Sequence, residues 1–318
     1  MTFFLRRIQI FVLSVLCIAL IGGCADDAGQ DGESAETGRL IGVSFQSMNN
    51  PFFVDLNEGL REIIESHGDR LVTLDAQWNS LKQKNDISDL VMQGAAAIFI
   101  NPVNWEGVKG SLIEAKQKKI PCIVVDAPVK DKDLVLSIVA SDNIEAGRLA
   151  ARKLADVRRP AKIAVLEQSI NKACIDRVAG FLEVLQEFPD MEIVDKQEVR
   201  GTTESSRPVM RDIIGRNPGI NAVFSINDPT ALGAVSALES AGKLADVKIV
   251  AVDGAQEALK AILAGKMLAT SAQFPKEIGI KAAETLYTHF SGQPVEKEIK
   301  VRVALIDAEN ADQYLKDE

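Results

Sequence analysis

Asn49-Asn50-Pro51-Phe52-Phe53 is the stretch from which the architecture of this chain can be worked out. It follows a short apolar run at 39–46, a predicted strand, and Phe53 opens a helix-spaced series: Leu56, Leu60, Ile63 and Ile64. The motif therefore lies on a loop between a strand and a helix, where open α/β sheets bind ligands. An amide beside two aromatic rings offers hydrogen bonds and flat apolar faces, which suits a sugar. The alternative is structural, with both rings capping the core and Asn50 shaping a turn.

Apolar runs rich in Val and Ile recur along the rest of the chain, separated by amphipathic segments of helical length. One series occupies 71–74, 96–100, 120–125 and 137–140, and a second occupies 162–166, 192–194, 222–226, 248–252 and 268–272. Strands that are continuously apolar and alternate with helices are typical of a parallel sheet covered on both faces. The sequence therefore predicts an α/β protein in two similar halves. The folded part, 39–318, is also long for a single core.

Carboxylates and amides end the predicted strands with unusual regularity: Asp75, Asn101, Asp126, Asp142, Asn227, Asp228, Asp253 and Gln273. Because the carboxyl ends of parallel strands share one edge, these groups are expected to line that edge. Asp and Asn are also ordinary turn and helix-capping residues. We assign a purely structural role to Asp75, Asp142 and Asp228.

The first residues have the pattern of a bacterial export signal. Two arginines precede an apolar run at 8–21, which closes on Ile21-Gly22-Gly23-Cys24. This predicts a lipoprotein signal peptide over 1–23, a lipidated Cys24 as mature N-terminus, and a disordered tether over 24–38 that has no core-forming side chain after Cys24. The alternative is a transmembrane anchor, for which the apolar run is short.

Charge and residue counts exclude several classes of function. The net charge of −9 argues against binding to nucleic acid. Apart from Cys17 in the leader and the lipid site Cys24, only Cys122 and Cys174 remain, so no disulfide framework is expected. The chain has two histidines, His67 and His289, and neither has the spacing of a zinc site. We expect neither a metal nor a cofactor.

Several motifs occur in an order that is characteristic of one family: Asn50-Pro51-Phe52-Phe53, Ile100-Asn101-Pro102, Val125-Asp126, Ala140-Ser141-Asp142-Asn143, Arg177-Val178-Ala179-Gly180-Phe181, Asn227-Asp228, Val252-Asp253-Gly254 and Ala272-Gln273. This series resembles the periplasmic sugar-binding proteins of the ribose-binding type, which feed ABC importers. The resemblance covers 39–305. It is carried by the ordered set more than by any single motif.

The resemblance implies two doubly wound parallel-sheet lobes joined by a three-stranded hinge, with the ligand in the cleft between them. The N-terminal lobe would comprise 39–141 plus 274–296, and the C-terminal lobe 142–273 plus 297–318. The three crossings between lobes would fall near 140–144, 270–274 and 294–300.

The resemblance also implies a set of ligand-binding residues: Asn50, Phe52, Phe53, Asp126, Arg177, Asn227, Asp253 and Gln273. The phenylalanine rings would pack on the sugar, the polar groups of both lobes would bind its hydroxyls, and Gln273 would lie at the hinge. Carboxylate, guanidinium and amide planes can each engage two neighbouring hydroxyls, so the chemistry fits independently.

Two positions depart from the ribose-binding pattern. Ala127 stands where an arginine commonly follows the strand-end aspartate, and Gly201 or a neighbour stands where an aromatic residue covers the ring. Another pentose, a hexose, a deoxysugar or a polyol is therefore at least as well suited as ribose. Trp78 and Trp105 could replace the lost aromatic surface, although an exposed or helix-packed tryptophan is the simpler interpretation.

We expect a solute-binding protein rather than an enzyme. The sequence contains no G-x-S-x-G, Walker or G-x-G-x-x-G motif. A sugar-sensing repressor would need a helix-turn-helix where this chain has its leader. The expected partners are a monosaccharide or polyol, an ABC permease with its ATPase, and the membrane through the lipid anchor alone, with the protein extracytoplasmic and monomeric. The alternative is presentation of the ligand to a chemoreceptor or histidine kinase, because both partners would read the closed form.

Overall fold

The computed structural model describes residues 38–316, which form an alternating series of strands and helices. In chain order these are β1 (Leu40–Phe45), α1 (Pro51–Ser66), β2 (Arg70–Asp75), α2 (Ser80–Met92), β3 (Ala97–Ile100), α3 (Lys109–Gln117), β4 (Cys122–Val125), β5 (Ser137–Ser141), α4 (Asn143–Val157), β6 (Ala161–Glu167), α5 (Lys172–Leu185), β7 (Met191–Glu198), α6 (Thr203–Arg216), β8 (Ala222–Ser225), α7 (Asp228–Ser240), β9 (Lys248–Asp253), α8 (Gln256–Leu263), β10 (Ala269–Ala272), α9 (Pro275–Phe290), β11 (Glu298–Val301) and β12 (Ala304–Asp307).

The strands form two sheets of six with the same internal order. The first runs β11-β5-β4-β3-β1-β2 and the second β12-β10-β9-β8-β6-β7. The strand pairs are parallel except β10 with β12, which is antiparallel. The predicted two-lobed α/β architecture is thereby confirmed. In each lobe the strand order reverses beside its first strand, between β1 and β3 and between β6 and β8, and such a reversal opens a crevice at the carboxyl ends.

The central strands of each sheet have side chains that are buried on both faces. β3, β4, β8 and β10 are buried at every position, and β3 and β4 are apolar throughout for this reason. The buried hydroxyls of Ser225, Thr270 and Ser271 in β8 and β10 each donate a hydrogen bond to a protein oxygen. The second lobe has one continuous hydrophobic core, whereas the first has a separate cluster on each face of its sheet. The sheets therefore act as stiff platforms for the loops that follow their strands.

Glycine allows α4 and α5 to pack backbone against backbone. A Cβ on Gly147 would lie 1.9 Å from the carbonyl oxygen of Arg177, and a Cβ on Gly180 would lie 1.9 Å from that of Ile144. No larger residue fits at either position without moving a helix. The close packing fixes the height of Arg177 above the sheet.

The third crossing between lobes differs from the prediction. β11 pairs in parallel with the outer edge of β5, with Lys300 opposite Ala140, so it belongs to the first sheet. The chain passes to the second sheet at residues 302–303, between β11 and β12, and not at 294–300. The range 297–318, predicted to lie in the C-terminal lobe, is therefore divided between the lobes. β11 is short, charged and mostly exposed, so it lacks the apolar run that marked the other strands.

The predicted signal peptide over 1–23, the lipid site Cys24 and the tether up to residue 37 lie outside the described residues. Within 38–316, no helix has the length and apolar character needed to cross a bilayer.

Candidate ligand-binding cleft

The loops at the carboxyl ends of both sheets enclose a cavity of about 390 Å³. All eight residues predicted from the sequence line it: Asn50, Phe52, Phe53, Asp126, Arg177, Asn227, Asp253 and Gln273. The first four come from the first lobe, the next three from the second, and Gln273 directly follows β10 at the second crossing. Residues far apart in the sequence thus face one space between the lobes.

On the first lobe, Asn50 caps helix α1. Its Oδ1 accepts from the backbone N–H of Phe52 at 3.0 Å, so the amide N–H₂ is the part that remains for a ligand. The Phe52 and Phe53 rings meet edge to face, with centroids 5.3 Å apart. Phe53 is only 3% exposed and also packs on Phe45, whereas Phe52 is partly exposed. Phe53 is therefore largely a core residue, whereas Phe52 is the more exposed of the two rings that line the cavity.

Asp126, at the end of β4, is held in place by the side chain of Asn101. Asn101 donates from Nδ2 to Asp126 Oδ2 at 2.9 Å, and Asp126 is 4% exposed. Burial raises the pKa of Asp126 to about 6, although the positive charge of Arg177 lowers it, while the charge of Asp253 raises it further. One oxygen of this carboxylate has no protein donor in the described structure, so a ligand hydroxyl could donate to it.

On the second lobe, Arg177 is fixed by three contacts. Its Nε donates to Asn143 Oδ1 at 2.8 Å, and one terminal nitrogen donates to the carbonyl of Ile226 at 2.8 Å and lies 3.4 Å from Asp253 Oδ1. Asp253 also accepts from Gln273 Nε2 at 2.7 Å. The Arg177 and Asp253 pair lies within one lobe, so these residues organise the apo site in addition to lining it.

Asp253 also interacts with a second buried acid, Asp228. Burial raises the pKa of Asp253, and Arg177 opposes that rise. Asp228 lies behind the cavity, where burial and the charge of Asp253 hold its pKa well above the usual range. It accepts from Thr270 Oγ1 at 2.7 Å and from the Ala255 N–H at 2.8 Å, which fits the structural role expected of it.

Asn227 has both ends of its amide engaged. Oδ1 accepts from the Thr230 N–H at 3.0 Å as the cap of α7, and Nδ2 donates to the Gly201 carbonyl at 3.0 Å. Gly201 has φ +74° and lines the cavity, so no side chain covers the ligand space there. Gly201 therefore offers no aromatic ring to the cavity, as its residue type predicts.

Several lining residues lie outside the predicted set. Of the two tryptophans, Trp78 lies at the cavity, whereas Trp105 does not and instead donates its backbone N–H to the carbonyl of Ile170 in the other lobe at 3.2 Å. The lining residues that were not predicted are Gln46, Ser47, Gln168, Asn171, Ala173, Cys174, Thr202, Thr203, Glu204 and Pro229. Many of them follow β1 and β6, the first strands of the two lobes, so the strand order would have indicated them once known.

Backbone strain is concentrated at this cleft. Five described residues other than glycine have positive φ, and three of them line the cavity: Trp78 at 59°, Asp126 at 66° and Asp253 at 139°. Such conformations are unfavourable for residues with a Cβ and often occur at functional sites. Within 38–316, no cluster of His, Cys, Asp and Glu could hold a metal ion.

A family model described as periplasmic binding protein domain matches residues 41–294. The chain belongs to this family. A ribose import binding protein of Bacillus subtilis is 32% identical over 300 residues, covering 92% of this chain and 97% of the relative. The family supplies non-enzymatic components of transport, so this periplasmic binding protein is a solute-binding protein and not an enzyme.

Solved structures agree with this periplasmic binding protein in fold. The binding component of an arabinose ABC transporter from Shewanella sp. ANA-3, bound to L-arabinofuranose, is 31% identical with a TM-score of 0.81, covering 86% of this chain and 94% of that one. A solute-binding protein from Bacillus halodurans with bound myo-inositol is 25% identical with a TM-score of 0.82, covering 88% and 98%.

Proposed function

We propose that this protein captures one monosaccharide or polyol in the cleft between its lobes and delivers it to an ABC-type importer. The observation that carries the proposal is the convergence on one cavity of polar groups from both lobes and from a crossing. Relatives that import ribose and arabinose, and one with bound myo-inositol, support a neutral polyhydroxy ligand.

The chemistry of the lining supports the same class. Asp126 and Asp253 accept hydrogen bonds, Arg177 and Asn50 donate, and Phe52 offers an apolar ring face to the C–H side of a sugar. A ligand enclosed by both lobes must find a partner for each polar atom, and one unpaired hydroxyl costs about 1–3 kcal/mol. Selection between epimers follows from that penalty.

We propose that the preferred ligand is not ribose itself. Ala127 is buried and offers no guanidinium, and Gly201 offers no ring. A ligand that depends on those two groups would bind weakly here. Trp78, at the cavity and 37% exposed, supplies an alternative aromatic surface from the first lobe.

We further propose that the mature protein is a monomer held outside the cell membrane by lipid on Cys24. The support is the sequence pattern of residues 6–24. The lobes would comprise 39–141 with 274–301 and 142–273 with 304–318, which keeps the predicted boundaries apart from the third crossing.

The test is a binding screen of the purified mature protein by thermal shift and calorimetry. The panel contains D-ribose, L-arabinose, D-allose, D-galactose, xylitol and myo-inositol. A ligand at 100 times its dissociation constant stabilises the folded state by about 2.7 kcal/mol. A panel that produces neither a thermal shift nor heat of binding would overturn the assignment to sugars and polyols.

A further inference from the structure

Gln46 has a buried side-chain oxygen that none of the described residues satisfies. The residue follows β1, is 4% exposed and lines the cavity, and its Oε1 has no hydrogen-bond partner within 38–316. A buried acceptor without a donor is unfavourable, and in native proteins such groups are rare enough to need an explanation. A hydroxyl of a bound ligand would provide the explanation, because it would donate a hydrogen bond to this oxygen.

The backbone around Gln46 is tied to the rest of the cleft. Its N–H donates to Asn101 Oδ1 at 3.2 Å, and Asn101 in turn holds Asp126. Its carbonyl accepts from the Trp78 N–H at 2.7 Å. Gln46 therefore lies in one hydrogen-bonded chain with a carboxylate of the site and with the aromatic residue at the cavity.

A second carboxamide oxygen, at the second crossing, also lacks a hydrogen-bond partner among the described residues. Gln273 donates its Nε2 to Asp253, which fixes the orientation of the amide and leaves Oε1 without a partner at 6% exposure. Five buried side-chain atoms of the described residues lack partners, and two are the oxygens of Gln46 and Gln273. Both residues line the same cavity, from the first lobe and from the second crossing.

We propose that Gln46 is a ligand-binding and specificity-determining residue, which accepts a hydrogen bond from a ligand hydroxyl while Gln273 accepts another across the cavity. This inference rests on the proposed function and narrows it. The ligand must present O–H donors toward both carboxamides. A carboxylate or phosphate beside Gln273 would set an anion against a carbonyl oxygen whose orientation Asp253 fixes, in a cavity that already holds the carboxylates of Asp126 and Asp253. The ligand class is therefore a neutral polyhydroxy compound, with sugar acids and sugar phosphates excluded.

The experiment compares wild type, Gln46→Met and Gln117→Met by calorimetry against the six-compound panel and against D-galacturonate. Methionine keeps the length of the side chain and removes the amide. Gln117 is exposed at the end of α3 and away from the cavity, so it reports the same chemical change without the contact. We expect Gln46→Met to weaken the tightest-binding neutral compound at least tenfold and Gln117→Met to leave it unchanged. D-galacturonate should bind at least tenfold more weakly than D-galactose.

Apo stability separates a binding role from a structural one. Removing an unsatisfied buried acceptor should leave the apo melting temperature of Gln46→Met unchanged or raised, while the ligand-induced shift shrinks. If wild type binds a panel member and Gln46→Met binds it within twofold, the inference is wrong although the proposed function stands. If wild type binds none of them, the proposed function itself fails. Should Gln46→Met not fold, Gln46→Asn, which withdraws the amide by one methylene, takes its place under the same criterion.

Discussion

At the scale of single residues, the cleft combines groups that are unfavourable to bury with a backbone that holds them in place. Asp126 and Asp253 both have positive φ and raised pKa values, with Arg177 as the nearby cation. Burial of a charged carboxylate lowers the stability of the ligand-free fold, whereas the same carboxylate can accept hydrogen bonds from a ligand. These groups therefore favour binding at the expense of folding stability. This predicts that some substitutions weaken binding and stabilise the apo protein.

Asp126→Asn should be such a substitution. The pKa of Asp126 in the folded state is raised to about 6, so between pH 4 and 6 the folded state binds a proton that the unfolded state has lost. The contribution of Asp126 to the free energy of unfolding is therefore fully present below pH 4 and is lost as pH rises through 6. This lowers the free energy of unfolding by an amount on the order of 3 kcal/mol. Thermal unfolding of the apo protein between pH 4 and 7 should therefore show a flatter decline for Asp126→Asn than for wild type, and a higher melting temperature at pH 7. An equally steep decline in the mutant would assign the titration to other acids, Asp253 first.

Arg177→Met should affect both stability and binding. It removes the cation next to buried Asp253 and the donors to Asn143 and Ile226, so apo stability should fall by roughly 3–5 kcal/mol. Affinity per folded molecule should fall as well, since the guanidinium lines the cavity. Chemical denaturation and calorimetry on the same samples measure the two effects. Lost stability with unchanged affinity would make the ion pair purely structural.

At the scale of elements, the helix pair α4 and α5 controls the position of Arg177. The two glycines at their contact let the backbones approach closely, and a Cβ on either would meet a carbonyl oxygen at 1.9 Å. Any separation of the helices would move the arginine relative to β8 and β9.

Gly180→Ala should therefore lower both the unfolding free energy and the ligand affinity, although Gly180 is not in the cavity lining. The matched control is Gly215→Ala in α6, where no atom lies within 4 Å of the added Cβ. That change should stabilise by about 0.5–1 kcal/mol because alanine is the better helix former. Denaturant midpoints and calorimetry measure both, and a neutral Gly180→Ala would show that the helices can separate without consequence.

At the scale of the whole molecule, the two lobes also contact each other directly outside the cavity. The Trp105 N–H donates to the Ile170 carbonyl, and Lys316 Nζ lies 2.9 Å from Asp55 Oδ2. The lysine of that pair is 67% exposed, so the pair contributes little. We expect ligand contacts to both lobes to supply most of the preference for closure. A ligand shifts the population only by its differential affinity for the two forms.

Adding the tightest-binding panel compound should shorten the distance between the lobes. Spin labels at Met92→Cys and Leu263→Cys, exposed on different lobes, would report it, since the native Cys122 and Cys174 are buried. Motion should be concentrated at the three crossings while each sheet stays rigid. An unchanged distance at saturation would mean that the protein is locked closed or that binding uses one lobe alone.

Local pattern was sufficient for much of this protein. The ten predicted strands from β1 to β10 all form, because a strand buried on both faces needs a continuous apolar run. Asn50 and Asp126 could be expected at one edge of the first sheet and Asp253 at the corresponding edge of the second, because parallel strands bring their carboxyl ends to a common edge. That the two edges face one cavity was implied only by the family resemblance.

Long-range contacts account for the rest. β11 could not be found from its sequence, since a short charged strand exists only because β5 offers it an open edge. Gln46 is an amide at the end of β1, but its importance follows from the burial of its side-chain oxygen without a partner among the described residues. The double role of Arg177 likewise depends on Asn143, Ile226 and Asp253 being brought together by α4, β8 and β9. Periodicity encodes which face of a segment is buried, whereas partners distant in the sequence are chosen only when the lobes have assembled.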